Sequence, residues 1–492
     1  MSARATAFSA FLAARGVRRS LDERLLDAMA DAATARLAPV GTATVARDVA
    51  ALSGLDGDAA RALSILVLAT ALVTREGSTR LLIPGDSLDA LTTEIVGKLG
   101  AAGAGVVAAL SAPHTLLTSA AGVVGAPRSD RPLLWDGSAL APARLYRAEE
   151  DLARALLGRA PRPLDASRAL ADVVALPTRA PDGAPTALTD EQARAVAAGC
   201  EGGLTVITGG PGTGKTSVLV ALLRALVRCG VAPDAIALAA PTGKAAERMT
   251  ESTRRALGTL EAPSREDVAL GRALPQARTL HRLLGYSPTR RAFSRGPDDP
   301  LPHEVVVVDE ASMVDVELGR ALALALADRA RLVLLGDPEQ LPSVGAGALL
   351  SDVAAALPER VSRLTVSHRM RASDPSGAAV LQLSRQIAAG AVDTSAIAVR
   401  AHAKEITWRG VERLDASRQD GLLDLLAERH VDEIAAPLAG VKPLVDGGLD
   451  QRDTEQVLAA LHAAQRVRLL SPVHAGPLGT LALSRGVADR VA

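Results

Sequence analysis

From Gly203 onward, short apolar runs alternate with helix-like stretches: "LTVIT", "AIALAAP", "EVVVVDEA" and "RLVLLGD" are each followed by a segment of helical spacing. Runs this short and this apolar fit strands buried on both faces, and strands separated by helices are joined in parallel. The pattern predicts an α/β unit, a parallel sheet with helices on both faces. In such open sheets the chemistry gathers where the strands end. The residues just after the four runs are therefore the ones to read.

At 492 residues the whole chain exceeds one ordinary domain, and about three are expected. Residues 1–160 read as a mostly helical domain, on stretches such as "LDERLLDAMADAATARL". The proline-rich stretch at 161–187 reads as a linker with one short helix, 188–360 as the α/β unit, and 361–492 as a second unit opening on "RLTVSHRMRAS". Aromatic residues make up 1% of the chain, so its cores must be aliphatic. A formal net charge of zero argues against a broadly basic surface but leaves room for a local basic groove. Cys200 and Cys229 have no metal-ligand spacing and suit a reducing compartment. "ALSILVLATALV" at 62–73 is too short to span a bilayer, and "MSARATAFSAFLAARG" lacks the apolar core of a signal peptide. A cytoplasmic protein with no membrane partner is expected.

"GGPGTGKT", residues 209–216, fits G-x-x-x-x-G-K-[ST] and lies between a strand and a helix. The loop of Gly209, Gly210, Pro211, Gly212, Thr213 and Gly214 would wrap around phosphate oxygens at a helix N-terminus, every residue but Pro211 having a backbone N–H to offer. Lys215 would reach the β/γ-phosphates of ATP, and the Thr216 hydroxyl would ligate Mg²⁺. The chain's basic residues are nearly all arginine, and a lysine in this slot is informative. "VVVVDEASM" ends a strand in two acids: Asp309 would hold Mg²⁺, and Glu310 would orient or deprotonate the attacking water. A single acid would suffice to cap the next helix.

Other positions admit two uses each. The amide of Gln192 could read an adenine, or it could be a solvated helix residue. Thr242 and Lys244, in "AAPTGKAAERM", sit at a strand end and helix start that suit a phosphate or plain N-capping. His281, in "TLHRLLG", is a polar group in an apolar helix or a satisfied core histidine. Gln340, in "LGDPEQLPSVGAG", can hydrogen-bond a γ-phosphate or its attacking water without adding negative charge. It can thereby report whether the phosphate is still attached.

Taken in order, "GGPGTGKT", "APTGKAA", "TLHRLLG", "VVVVDEASM", "LGDPEQLPSVGAG" and "VSHRM" resemble the superfamily 1 DNA helicases and, within these, the RecD family of exonuclease V subunits. The resemblance implies a RecA-like P-loop motor lobe over 188–360 and a second RecA-like lobe after it. It makes Gln192 the adenine contact, Lys215 and Thr216 the phosphate and Mg²⁺ contacts, Asp309 and Glu310 the catalytic acids, and Gln340 the γ-phosphate sensor. Arg369 becomes the second-lobe arginine facing the γ-phosphate, and Thr242, Lys244 and His281 fall in segments that line single-stranded DNA. It also implies 5′-to-3′ movement, a strand-separating hairpin near 287–303, and a heterotrimer with RecB-like and RecC-like subunits that acts on duplex ends. Two further family motifs, one His-Lys-Ser-Gln-Gly-like and one a Thr-Arg-Ala-Arg-like arginine finger, do not occur in the sequence. A whole first lobe and a partial second are therefore expected. Two other classes fit the same residues: a non-motor ATP-binding assembly subunit, and a stand-alone RecD-like helicase.

Overall fold

The computed structural model describes residues 20–366, apart from 40 and 180–182, and then 375–414, 419–438, 451–464 and most of 467–491. The chain divides into two compact units, Met1–His368 and Arg369–Ala492.

The first unit opens with helices α1 (Leu21–Ala35), α2 (Gly41–Ala51), α3 (Gly57–Arg75) and α4 (Asp86–Leu99). They pack against a small sheet made of β1 (Leu81–Leu82), β2 (Val124–Gly125), β3 (Leu133–Trp135) and β4 (Ala139–Pro142), in the order β1-β4-β3-β2. One aliphatic core joins them, with α3 at its centre through Leu63, Ile65, Leu66 and Leu68. Gly57–Arg75 and Asp86–Leu110 are long and apolar enough to cross a membrane by length and composition; most of the first is buried inside this core.

The large sheet follows helices α5 (Ala143–Leu157), α6 (Ser167–Ala175) and α7 (Asp190–Glu201). Its strands are β5 (Leu204–Gly209), β6 (Ile236–Ala240), β7 (Arg278–Thr279), β10 (Val305–Val308), β11 (Arg331–Gly336) and β12 (Val361–Leu364). All pairings are parallel, in the order β12-β5-β11-β10-β6-β7. The intervening helices are α8 (Lys215–Arg228), α9 (Gly243–Leu257), α10 (Arg265–Arg272), α11 (Val316–Ala325) and α12 (Leu349–Ala356). A hairpin, β8 (Tyr286–Ser287) with β9 (Ala292–Phe293), projects between β7 and β10. It starts one residue before the expected span and closes well inside it.

Side chains alternate between two cores because strand neighbours point to opposite faces. Val305, Val307, Val333 and Leu335 join the α8 side, whereas Val306, Val308, Leu332 and Leu334 join the α11 side. This double burial is why the strands read as unbroken apolar runs.

Three boundaries read from the sequence move. Strand β12 pairs with β5, Val361 opposite Val206, so the large sheet continues past 360. Helix α5 contributes Leu145, Ala148, Leu152 and Leu156 to the α11-side core, so the helical domain does not end cleanly at 160. The proline-rich stretch is not a free linker either: Ala166, Ala169 and Val173 pack in the α8-side core. The described part of the second unit holds four helices, Pro375–Ala388, Gln419–Leu438, Gln451–Ala464 and Thr480–Val491, and a parallel strand pair, Ala398–Arg400 with Glu412–Leu414.

One buried ion cluster fixes the helix that leaves the phosphate loop. Asp267 on α10 accepts from Arg224 Nε (2.9 Å) and Arg228 Nη2 (2.7 Å), and the three side chains are 1%, 2% and 7% exposed. Arg224 also donates to the Leu176 carbonyl (2.9 Å), tying in the end of the proline-rich segment. Burial alone would raise the Asp267 carboxyl, but the hydrogen bonds from Arg228 and Arg224 outweigh it and hold the group well below the usual carboxylate range. Asp267→Asn should therefore cost about 3–5 kcal/mol in urea unfolding, because two buried guanidinium groups lose their counter-charge. The folded-state pKa is depressed, so this contribution should be complete above the ordinary carboxylate range of about 4 and vanish only as pH falls well below it. A stability–pH profile identical in parent and Asp267→Asn would contradict this account.

Candidate functional site

Strand β5 runs straight into the phosphate loop, and α8 begins at Lys215. Gly212 (φ 80°) and Gly214 (φ 86°) take the left-handed conformation that lets the loop curl. The loop is braced from within, with Thr213 Oγ1 donating to the Gly210 carbonyl at 2.9 Å. The Lys215 ammonium donates to the carbonyls of Gly209 and Gly210, the second at 3.3 Å. Thr216 is exposed in the first turn of α8. Left-handed glycines, a helix N-terminus and an ammonium held only by carbonyls form a donor set suited to a polyphosphate.

Gln192 lies beneath this loop and is 4% exposed. Its Oε1 accepts from the Thr189 N–H (3.0 Å), closing a capping box at the start of α7, and its Nε2 donates to the Thr213 carbonyl (3.0 Å). Both ends of the amide are thus engaged by the chain itself. Here the side chain braces the phosphate loop from beneath.

Asp309 follows β10. Its N–H donates to the Ala239 carbonyl (2.9 Å), and its Oδ1 accepts from the Glu310 N–H (2.9 Å). Burial pushes the Asp309 carboxyl up; the Glu310 N–H, Lys215 and Arg248 act against this, and the Glu310 charge adds to it. A desolvated carboxyl beside a phosphate loop is suited to a hydrated divalent cation, which would favour its charged form. Glu310 has φ 53°, an uncommon left-handed geometry for a residue with a side chain. Arg248, on α9 four residues after Lys244, went unnoticed in the sequence. Only the folded proximity of α9 to the end of β10 gives it a role.

Beyond β11, Asp337 is buried and Gln340 is exposed. Gln340 Nε2 donates to Asp337 Oδ2 (3.3 Å), and its N–H donates to the Asp337 carbonyl (3.1 Å). The same loop is bonded to the segment after the acid pair: Val316 N–H to Ala346 O (3.1 Å) and Leu349 N–H to Val314 O (3.3 Å). Thr242 caps α9, its hydroxyl accepting from the Ala245 N–H (3.2 Å), and Lys244 is exposed. His281 is exposed rather than a core histidine; its ring stands edge-on to Tyr286 (5.3 Å between centroids) and 5.8 Å from Phe293 on the hairpin. Arg369 lies outside the described residues.

The sheet order brings these loops together. Four adjacent strands, β5, β11, β10 and β6, end respectively in the phosphate loop, the Gln340 loop, the acid pair and the Thr242–Lys244 segment. The strand ends are level, with Gly336 opposite Thr208 and Val308 opposite both Leu334 and Ala239.

Residues 192–346 match a family model described as an AAA domain, a span holding all four loops. The RecBCD enzyme subunit RecD of Mycobacterium tuberculosis is 41% identical over 251 residues, which cover 49% of this chain and 41% of that protein. RecD of Haemophilus influenzae is 44% identical over 167 residues, 34% of this chain and 26% of that one. The ATP-dependent RecD2 DNA helicase of Deinococcus radiodurans is 35% identical over 255 residues, 50% of this chain and 31% of that one. The matched segment spans less than half the length of each relative. Over the matched segment the chain is thus similar to RecD and RecD2 proteins of three different bacteria.

Proposed function

We propose that this chain is the ATP-driven motor part of a DNA helicase subunit that works in a RecBCD-type exonuclease, moving 5′ to 3′ on single-stranded DNA in break repair. The observation that supports the reading is the level row of four strand ends, at which the Lys215 loop, the Gln340 loop, Asp309–Glu310 and the Thr242–Lys244 segment lie side by side. Lys215 would exchange its carbonyl partners for the β/γ-phosphates of ATP. Thr216 and Asp309 would hold Mg²⁺, which supplies charge neutralisation on the transferring phosphoryl group. Glu310 orients or deprotonates the attacking water. Gln340, exposed and tethered only to Asp337, is free to turn toward the γ-phosphate.

Lys244, Arg248 and the His281–Tyr286–Phe293 cluster provide exposed cationic and ring surfaces on the strand-end and hairpin side for a DNA strand. Ring stacking is worth about 1–3 kcal/mol per base where it occurs. RecB-like and RecC-like subunits are the partners on this reading, the N-terminal domain is the surface they meet, and the complex works on duplex ends in the cytoplasm.

Lys215→Gln should remove ATP hydrolysis while the melting temperature stays within about 2 °C, since a loop side chain of this kind adds little to packing. Turnover at the parent's level in a folded Lys215→Gln protein would rule out the phosphate-loop assignment. DNA-independent ATP binding without any turnover in the parent would instead favour the assembly-subunit reading.

Gln340→Ala should leave ATP and single-stranded DNA binding in place but flatten the stimulation of hydrolysis by DNA. Stimulation equal to the parent's would sink the sensor role. Gln192→Ala should lose its capping-box partner and the brace under Thr213 together, costing about 1–3 kcal/mol of stability. It should also weaken ADP as much as ATP. If ADP affinity falls with no change in unfolding free energy, the side chain contacts the nucleotide directly.

A further inference from the structure

The loop that carries Gln340 is anchored by the N-terminal domain. The Gly347 N–H donates to the carbonyl of Gly77 (2.8 Å), in the turn that ends α3. Gly347 is buried and left-handed (φ 87°), and a Cβ there would stand 2.8 Å from Val316 Cβ and 3.3 Å from Thr79 Cγ2. Ser343, 8% exposed, has its hydroxyl 2.9 Å from Gly345 O and 2.7 Å from Gly347 O. With Val316 N–H on Ala346 O, residues 343–347 are held between the Gly77–Thr79 turn and the start of α11. The loop ahead of this anchor is open to solvent: residues 338–342 are all exposed, Leu341 at 87%. Apart from Asp337 at its root, the loop's position is set by that strip.

The turn is itself gripped by one side chain. Thr79 Oγ1 and Arg80 Nη2 both donate to Glu149 on α5, and Arg80 also pairs with Asp136 (3.6 Å). Helix α5 packs in the motor core and α3 forms the N-terminal core. Glu149 therefore ties the turn of one domain to the body of the other.

We propose that the N-terminal domain is an input to the motor: the Gly77–Arg80 turn, gripped by Glu149, positions the Gln340 loop through Gly347, so that a partner bound to this domain can raise or lower hydrolysis. Glu149, Thr79, Ser343 and Gly347 are positioning residues in this arrangement. The proposal rests on the motor reading and on Gln340 as its sensor.

The test uses the full chain and measures ATP turnover with and without an oligothymidylate, together with the Kd of a fluorescent ADP analogue. Glu149→Ala, which removes the acceptor shared by Thr79 and Arg80 and leaves Arg80 its Asp136 pair, should lower the DNA-stimulated kcat about five- to tenfold with ADP Kd unchanged. Glu149→Gln, which keeps an acceptor for Thr79, should fall between this and the parent. Gly347→Ala should act like Glu149→Ala, because the added methyl drives the strip away from Val316. Leu117→Ala, a core truncation in the same domain, should lower the melting temperature but leave the stimulation ratio alone. Parental stimulation in folded Glu149→Ala and Gly347→Ala would overturn the proposal, as would an equal loss in Leu117→Ala. If the parent shows no DNA stimulation, the motor reading falls, and amide exchange over 337–347 decides the proposal by itself. Faster exchange in Glu149→Ala, or in Gly347→Ala should the first not fold, supports it; unchanged exchange refutes it.

Discussion

Four consecutive valines, Val305–Val308, hold the motor lobe together, and the rest of its site depends on their register. Each pairs with a residue of β11 on one side and of β6 on the other. Alternate members enter the two cores, so a slip by one residue would exchange the cores' contents without exposing anything polar. What prevents the slip lies at the ends. Asp309 cannot enter either core without burying a charge, and Glu304 before the run is exposed. The same register that buries the valines thus fixes the acid pair level with the phosphate loop and the Gln340 loop.

Arginine does much of the remaining structural work, through backbone carbonyls as much as through carboxylates. Arg159 donates to the carbonyls of Ala330 (2.9 Å) and Ala323 (3.3 Å) around the C-terminal end of α11, and its burial lowers the guanidinium's pKa. Arg331 donates to Gly202 O (3.2 Å) and to Arg162 O, and Arg360 to the carbonyls of Leu156 and Arg159 (3.2 Å each). Three guanidinium groups therefore fasten residues 156–162 to the motor lobe. A planar fork of five donors can satisfy several orphan carbonyls in fixed and well-separated directions, whereas a lysine's three donors share one nitrogen. That geometry explains how a stretch rich in proline and poor in regular structure becomes part of a folded unit.

The strands, the phosphate loop and the acid pair were legible in the sequence because each is a local pattern: an apolar run with a break, or a spacing that only one backbone path satisfies. A hairpin was expected over 287–303 from the resemblance, and the strand pair from Tyr286 to Phe293 takes up only the first part of that span. Membership of a core was not legible. The amphipathic spacing of Leu145, Leu152 and Leu156 announces a helix, but nothing local says that its apolar face meets α11 rather than α3. Strand β12 was misplaced for the same reason, since a parallel partner some 150 residues upstream leaves no trace in "VSRL". Arg248 and the Gln192–Thr213 bond belong to this class as well; they exist only once α9 and α7 are docked beside the strand ends.

The first turn of α7 shows how one short element serves two loops with unequal firmness. Gln192 turns inward, buried, and bonds the phosphate loop at Thr213. Its neighbour Glu191 turns outward and accepts from both the N–H (2.8 Å) and the hydroxyl (2.7 Å) of Thr365, just before the first unit ends at His368. The Thr365 hydrogen bonds, the hydroxyl's first, hold the Glu191 carboxyl below its ordinary range. The inward bond has no water to replace it, so breaking it leaves a buried amide unsatisfied. The outward pair sits in solvent, where water competes for every donor and acceptor, and it can exchange at little cost.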